Sequence, residues 1–141
     1  LVRDFNPRLL RALGELAEAM SEDRRWIEQE VERVAAQTIT RCGDVVRFGL
    51  EGWDVLPEPL ARRVVRRGLV EAGLAREVSR SALLRMLAFL RRGRRAGRDI
   101  KVELPGGFSL RRVEDHFELA REAPKETDGG EAEKVGAGSR C

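Results

Sequence analysis

The chain has 141 residues, 27 of them Lys or Arg and 24 Asp or Glu, with 42% hydrophobic residues and a net charge of +3. That hydrophobic fraction supports a packed core and excludes general disorder, and the length fits one ordinary domain or two very small ones. No apolar run approaches the roughly 18 residues of a membrane span, and no basic-then-apolar leader opens the chain, so the expected compartment is the cytoplasm. Residue 1 is Leu, which is expected of a segment taken from a longer protein.

Asn6-Pro7 marks a helix start, because Asn accepts from the first unpaired N–H groups and Pro suits the first helical position. Leu9, Leu13, Leu16 and Met20, then Ile27, Val31, Val34 and Thr38, recur at helical spacing. They predict one long helix with a break near Ser21-Glu22-Asp23, or a helix pair, over residues 7–40, serving as a packing or spacer element. Between Arg41 and Pro57 the pattern is mixed, with Gly43, Gly49 and Gly52 for turns and Val45, Val46, Phe48, Leu50, Trp53 and Leu56 seeking a core.

Pro57-Glu58-Pro59 begins a further helix near 58–74. On its wheel, Leu60, Ala61, Val64, Val65, Gly68 and Leu69 form one half, and Arg62, Arg63, Arg66 and Arg67 the other. Ser79 or Ser81 caps the next helix, with Leu83, Leu84, Leu87, Ala88 and Leu90 expected to pack inward. It runs into Arg91-Arg92-Gly93-Arg94-Arg95-Ala96-Gly97-Arg98, where Gly93 is placed as the residue that ends the helix. From Asp99 the period becomes two: Ile100, Val102 and Leu104 alternate with Lys101 and Glu103 as a half-buried strand. Pro105-Gly106-Gly107 turns the chain, Phe108 and Leu110 begin a return strand carrying Arg111 and Arg112, and Phe117 and Leu119 fit a third strand. The expected fold is α+β: a long N-terminal helix or helix pair, then a small helical domain with a short antiparallel β-meander. Residues 1–42 read as a helical connector, 43–121 as a binding domain, and 122–141, rich in Gly, Glu and Lys, as a linker or disordered tail.

The net charge conceals a segregation. Residues 1–58 carry 8 basic and 12 acidic side chains, residues 59–112 carry 15 and 4, and residues 113–141 carry 4 and 8. A GC-rich coding sequence would produce 24 Arg against 3 Lys without selection for function, but it would spread them evenly rather than concentrate them in one stretch. A block at +11 attracts polyanions through its long-range field and counterion release. Arg62, Arg63, Arg66 and Arg67 form two i,i+4 pairs with no carboxylate among them, an arrangement that weakens an isolated helix. Arg91, Arg92, Arg94, Arg95 and Arg98 sit on a glycine-containing loop read as a flexible cationic patch. Arginine forks match phosphate oxygens bidentately, and glycine lets backbone approach closely. Arg111 and Arg112 are expected to extend the same surface across the hairpin.

No catalytic constellation is present. The sequence lacks GxxxxGK[ST], GxGxxG and HExxH, and the single His116 has no acidic or nucleophilic partner identifiable along the chain. Cys42 and Cys141 lie far apart, without the clustered ligands a metal needs, and read as free thiols without a role. Phe and Trp are too few, and too much in demand for the core, to form a base-stacking platform. No metal or cofactor is expected in this chain, and no membrane partner.

Three stretches resemble the non-catalytic part of the tRNA(Ile)-lysidine synthetase family. Leu1-Val2-Arg3-Asp4-Phe5-Asn6-Pro7 is similar to the end of that family's first domain. Leu56-Pro57-Glu58-Pro59-Leu60-Ala61-Arg62-Arg63-Val64-Val65-Arg66-Arg67 resembles its Leu-Pro followed by a basic helix, and Leu104-Pro105-Gly106-Gly107 its Leu-Pro-Gly-Gly hairpin. The resemblance implies part of an enzyme that uses ATP to join lysine to the wobble cytidine of an isoleucine tRNA. ATP would belong to a preceding catalytic domain carrying Ser-Gly-Gly-x-Asp-Ser, a motif this sequence does not contain. The segment would then grip tRNA beside its own catalytic domain, be inactive alone, and leave a homodimer open. The alternative is a stand-alone helical DNA-binding or regulatory module, and a scaffold using the acidic helix is a third reading.

Overall fold

A computed structural model describes residues 6–122, so the opening Leu1–Phe5 and the expected tail beyond Glu122 lie outside the described residues. The architecture is α+β. A long helix, α1 (Pro7–Thr38), leads into strands β1 (Ile39–Cys42) and β2 (Val45–Gly49). Helices α2 (Glu58–Glu71) and α3 (Arg80–Leu90) follow, then strands β3 (Lys101–Glu103), β4 (Phe108–Arg112) and β5 (His116–Arg121). The strands form one antiparallel sheet in the order β1-β2-β5-β4-β3.

The expected meander of three strands is therefore five. The added hairpin comes from the stretch whose mixed pattern hid it: Val45-Val46-Arg47-Phe48 is β-branched and aromatic, and Gly43 turns the chain at φ 65°. Pairing of β2 with β5, residues far apart in sequence, completes the sheet. The division drawn at 42/43 falls inside this hairpin, so the last residues of the connector segment are a strand of the same sheet.

Alternation then sorts the side chains. Val46, Leu119, Leu110 and Val102 are register neighbours and all buried, as are Phe48 and Phe117. The Phe117 ring meets Phe89 of α3 edge-on at 5.3 Å between centroids. The opposite face carries Arg47, Glu118, Arg111 and Lys101, also in register. All three helices contact strands, and their buried residues complete a single core with the inner face.

Helix α2 meets the sheet at Gly68. A Cβ there would lie 2.5 and 2.6 Å from two atoms of the fully buried Phe48 ring. Gly68→Ala is therefore expected to destabilise by about 1–3 kcal/mol through overpacking, outweighing the gain of up to ~1 kcal/mol in helix propensity. Urea denaturation checks this; an unchanged or raised midpoint would show that the ring yields.

Several local expectations are corrected. α1 is one continuous helix, with no break at Ser21–Asp23. Its apolar stripe does not pack throughout: Val31, Val34 and Ala35 are buried, whereas Leu9, Leu13, Leu16 and Met20 are 51–57% exposed. The reason is reach, since the other described residues cover only the C-terminal part of a helix that rises 1.5 Å per residue. In α3 the inward face centres on Ala82, Leu83, Met86, Leu87 and Leu90, which leaves Leu84 half-buried and Ala88 exposed. Ile100 is also exposed, because it precedes β3 in a turn where strand alternation has not begun. Helix α3 ends at Arg91, and Gly93 instead opens a 3₁₀ turn, Gly93–Arg95, at φ 52°. Cys42 is disulfide-bonded rather than a free thiol. It lies half-buried at the end of β1. Cys141 lies outside the described residues.

Candidate nucleic-acid interface

Helix α2 sets out its arginines as the wheel requires. Ala61, Val64, Val65, Gly68 and Leu69 are buried, Arg63 and Arg66 are exposed, and Arg62 is half-buried on a flank. Arg67 leaves this group. Its Nε donates to Glu32 of α1 at 2.9 Å and its Nη1 to Glu71 at 2.6 Å, and the bond to Glu32 is the chief reason its pKa is raised. Glu71 is visible as an i,i+4 neighbour, but Glu32 is 35 residues away and only the α1–α2 packing brings it in. All three side chains keep access to water, so each pair contributes at most about 1 kcal/mol.

The Arg91–Arg98 loop is fastened by side-chain hydrogen bonds at Arg91 and at the carbonyls of Arg94 and Ala96. Arg91 donates from Nε to the Trp53 carbonyl at 3.2 Å and from Nη2 to the Leu56 carbonyl at 2.9 Å. Arg112 donates from Nη1 to the carbonyls of Arg94 at 2.8 Å and Ala96 at 3.1 Å. Between these two fasteners Arg92, Arg94 and Arg95 are exposed, and Arg98 follows them, exposed as well. Arg94 pairs with Glu51 at 3.1 Å in an open ion pair. Leu56 lies two residues before α2, so the Arg91 fork joins the end of α3 to the start of the basic helix. The two arginine groups are thereby held on neighbouring elements. The concave surface between the 50–54 and 90–95 segments also presents Glu51 and Asp54.

Arg111 and Arg112 do not extend this surface together. Strand alternation sends Arg111 to the outer face of the sheet, while α2 lies on the inner face against Phe48. Arg112 is committed to the loop carbonyls. Of the eleven arginines singled out, Arg67 and Arg94 take part in ion pairs among the described residues and Arg91 and Arg112 bond carbonyls, whereas Arg62, Arg63, Arg66, Arg92, Arg95, Arg98 and Arg111 do neither. Arg76, Arg80 and Arg85, from the same block but not singled out, are also exposed.

His116 has acidic neighbours after all: Nδ1 is 3.0 Å from Asp115 and Nε2 is 3.3 Å from Glu118. The His116 contact is the first cause holding the Asp115 carboxyl below its ordinary value. Two-residue spacing on one strand face is the signal that would have found Glu118. Trp53 is 1% exposed, in the core as expected, whereas Trp26 on α1 is 62% exposed. Among the described residues, no three His, Cys, Asp or Glu side chains gather as a metal site, and no helix is long and apolar enough to cross a membrane.

Chemically, this surface offers planar, permanently charged donors on a helix and a braced turn, suited to spaced phosphate oxygens. No protein-family model matches the chain, and no curated protein matches it either.

Proposed function

We propose that this chain is the tRNA-gripping portion of a tRNA(Ile)-lysidine synthetase. In this reading a separate catalytic domain of the same enzyme uses ATP to ligate lysine to the wobble cytidine, in the cytoplasm, and the present chain alone is inactive. The carrying observation is that Arg62, Arg63 and Arg66 on α2 and Arg92, Arg95 and Arg98 on the loop after α3 stand on neighbouring elements without carboxylate partners among the described residues. Such a surface suits RNA, whose folded stems are recognised mainly through shape, phosphates and 2′-hydroxyls. The motif resemblance supplies the identity of the RNA. It also gives the bare apolar stripe of α1 an occupant, the catalytic domain.

The experiment is a competition between a transcript of an isoleucine tRNA and duplex DNA of equal charge, with the tRNA affinity followed across salt concentration. Preference for tRNA and a slope worth roughly 0.7–0.9 per phosphate contact are expected. Preference for the duplex would overturn the proposal and favour a DNA-binding module. Failure to bind either would leave a protein scaffold.

A further inference from the structure

We propose that Arg91 and Arg112 are positioning residues, which hold the cationic turn in one presentation and do not themselves contact RNA. This rests on the tRNA-gripping reading and deepens it. By sequence the two are indistinguishable from their neighbours Arg92 and Arg111, and all four belong to the +11 block.

Their surroundings differ in kind. Arg91 is the residue that ends α3, and its fork spans two carbonyls, Trp53 at 3.2 Å and Leu56 at 2.9 Å. The segment it grips is anchored: the Trp53 indole is buried against Phe48 and donates from Nε1 to the Gly49 carbonyl at 2.9 Å. Arg112 performs the matching task at the far side of the turn, donating to Arg94, Ala96 and, at 3.4 Å, the Glu114 carbonyl. Its Nε is buried without a partner, and the Nη atoms are both engaged with backbone carbonyls, so the fork is directed at the chain's own backbone.

Backbone geometry between the fasteners agrees. Arg95 N–H donates to Arg92 O at 2.9 Å and Ala96 N–H to Gly93 O at 3.0 Å, closing the 3₁₀ turn. Gly93 adopts φ 52°, and a Cβ there would come within 3.2 Å of the Leu50 carbonyl. The turn is thus pressed against the same 50–56 segment that Arg91 grips. The outcome is a short rigid platform presenting Arg92, Arg94 and Arg95 outward. Like charges so close repel, and a slack loop would let them spread apart. Bracing also removes ordering entropy that binding would otherwise have to overcome.

Lysine separates positioning from contact. Arg91→Lys and Arg112→Lys keep the charge, and a lysine at a phosphate contact retains most of the electrostatic attraction. A single ammonium on a flexible stem cannot reproduce a fork across two fixed carbonyls. Tight binding of the isoleucine tRNA transcript is therefore expected to fall about 5–10-fold in each variant at 100 mM salt, the loss expected when a few exposed side chains must be ordered on binding. The decisive measurement is a cycle with Arg92→Ala/Arg95→Ala. If Arg91 acts through the turn, Arg91→Lys has little further effect once those two side chains are gone. Losses that multiply, or an Arg91→Lys and an Arg112→Lys that both bind like the parent, overturn the inference. Arg92→Ala/Arg95→Ala with unchanged affinity would instead remove this turn from the gripping surface, a separate failure of the underlying reading. Thermal unfolding of each variant identifies any loss that comes from unfolding, and Arg112→Lys serves if Arg91→Lys does not fold.

Discussion

Reversing Arg63 and Arg66 to glutamate is expected to weaken binding of an isoleucine tRNA transcript by about 30-fold or more at 100 mM salt. These two face away from the core on α2, exposed and outside every ion pair among the described residues. Removing one phosphate interaction should lower the salt slope by roughly 0.7–0.9, which at 100 mM corresponds to about 5–8-fold in affinity. Two such interactions multiply to about 25–60-fold, and two new negative charges add repulsion. The fold should not suffer, since neither side chain is buried. Arg67→Ala is the matched control: its guanidinium is occupied by Glu32 and Glu71, so its removal should change the slope far less. Equal effects from Arg67→Ala and the double reversal would show that the α2 face is not the gripping surface.

Trp53→Ala is expected to have the largest effect on stability. The indole is 1% exposed, lies 6.0 Å from the Phe48 ring between centroids, and donates to the Gly49 carbonyl. Truncating a buried aromatic residue costs about 3–5 kcal/mol through forfeited transfer energy and the cavity left behind. For a domain of this size that lowers the midpoint by roughly 10–20 °C. Calorimetry or circular dichroism measures it. Because Trp53 also supplies a carbonyl to Arg91, the surviving folded fraction should bind tRNA more weakly than the parent. A midpoint within about 3 °C of the parent, worth under ~1 kcal/mol, would show that the 50–56 segment is not part of the cooperative core.

The α2 face illustrates what local pattern can reveal. Six apolar or small residues and four arginines on opposite halves of a wheel require only the helical period, and the burial of Ala61, Val64, Val65, Gly68 and Leu69 follows it. The fate of Arg67 does not, because Glu32 comes from a helix that is remote in sequence. The hairpin of β1 and β2 was hidden for a similar reason. Its strands are short, and β2 is made secure by β5, far along the chain, with Val46 against Leu119 and Phe48 against Phe117. Leu9, Leu13, Leu16 and Met20 show the converse error: a clean apolar stripe states what a helix face could bury, not whether anything lies against it.

By itself, the sequence determined which stretches are helical, though not the continuity of α1 or the end of α3, together with the turn at Pro105–Gly107, the α+β class and the concentration of positive charge in residues 59–112. These depend on periodicity, capping and charge count, all of which act over a few neighbouring residues. Tertiary structure alone decided which arginines are engaged by acceptors and which stand together on one surface. Arg91 and Arg112 bind carbonyls, Arg67 fastens α2 to α1, and Arg111 stands on the far side of the sheet from α2. A guanidinium has the same charge and reach in every one of these positions. What separates a surface cation from an internal clamp is the set of acceptors that folding carries to it, and those acceptors lie 16 to 38 residues away in the loop contacts of Arg112 and Arg91.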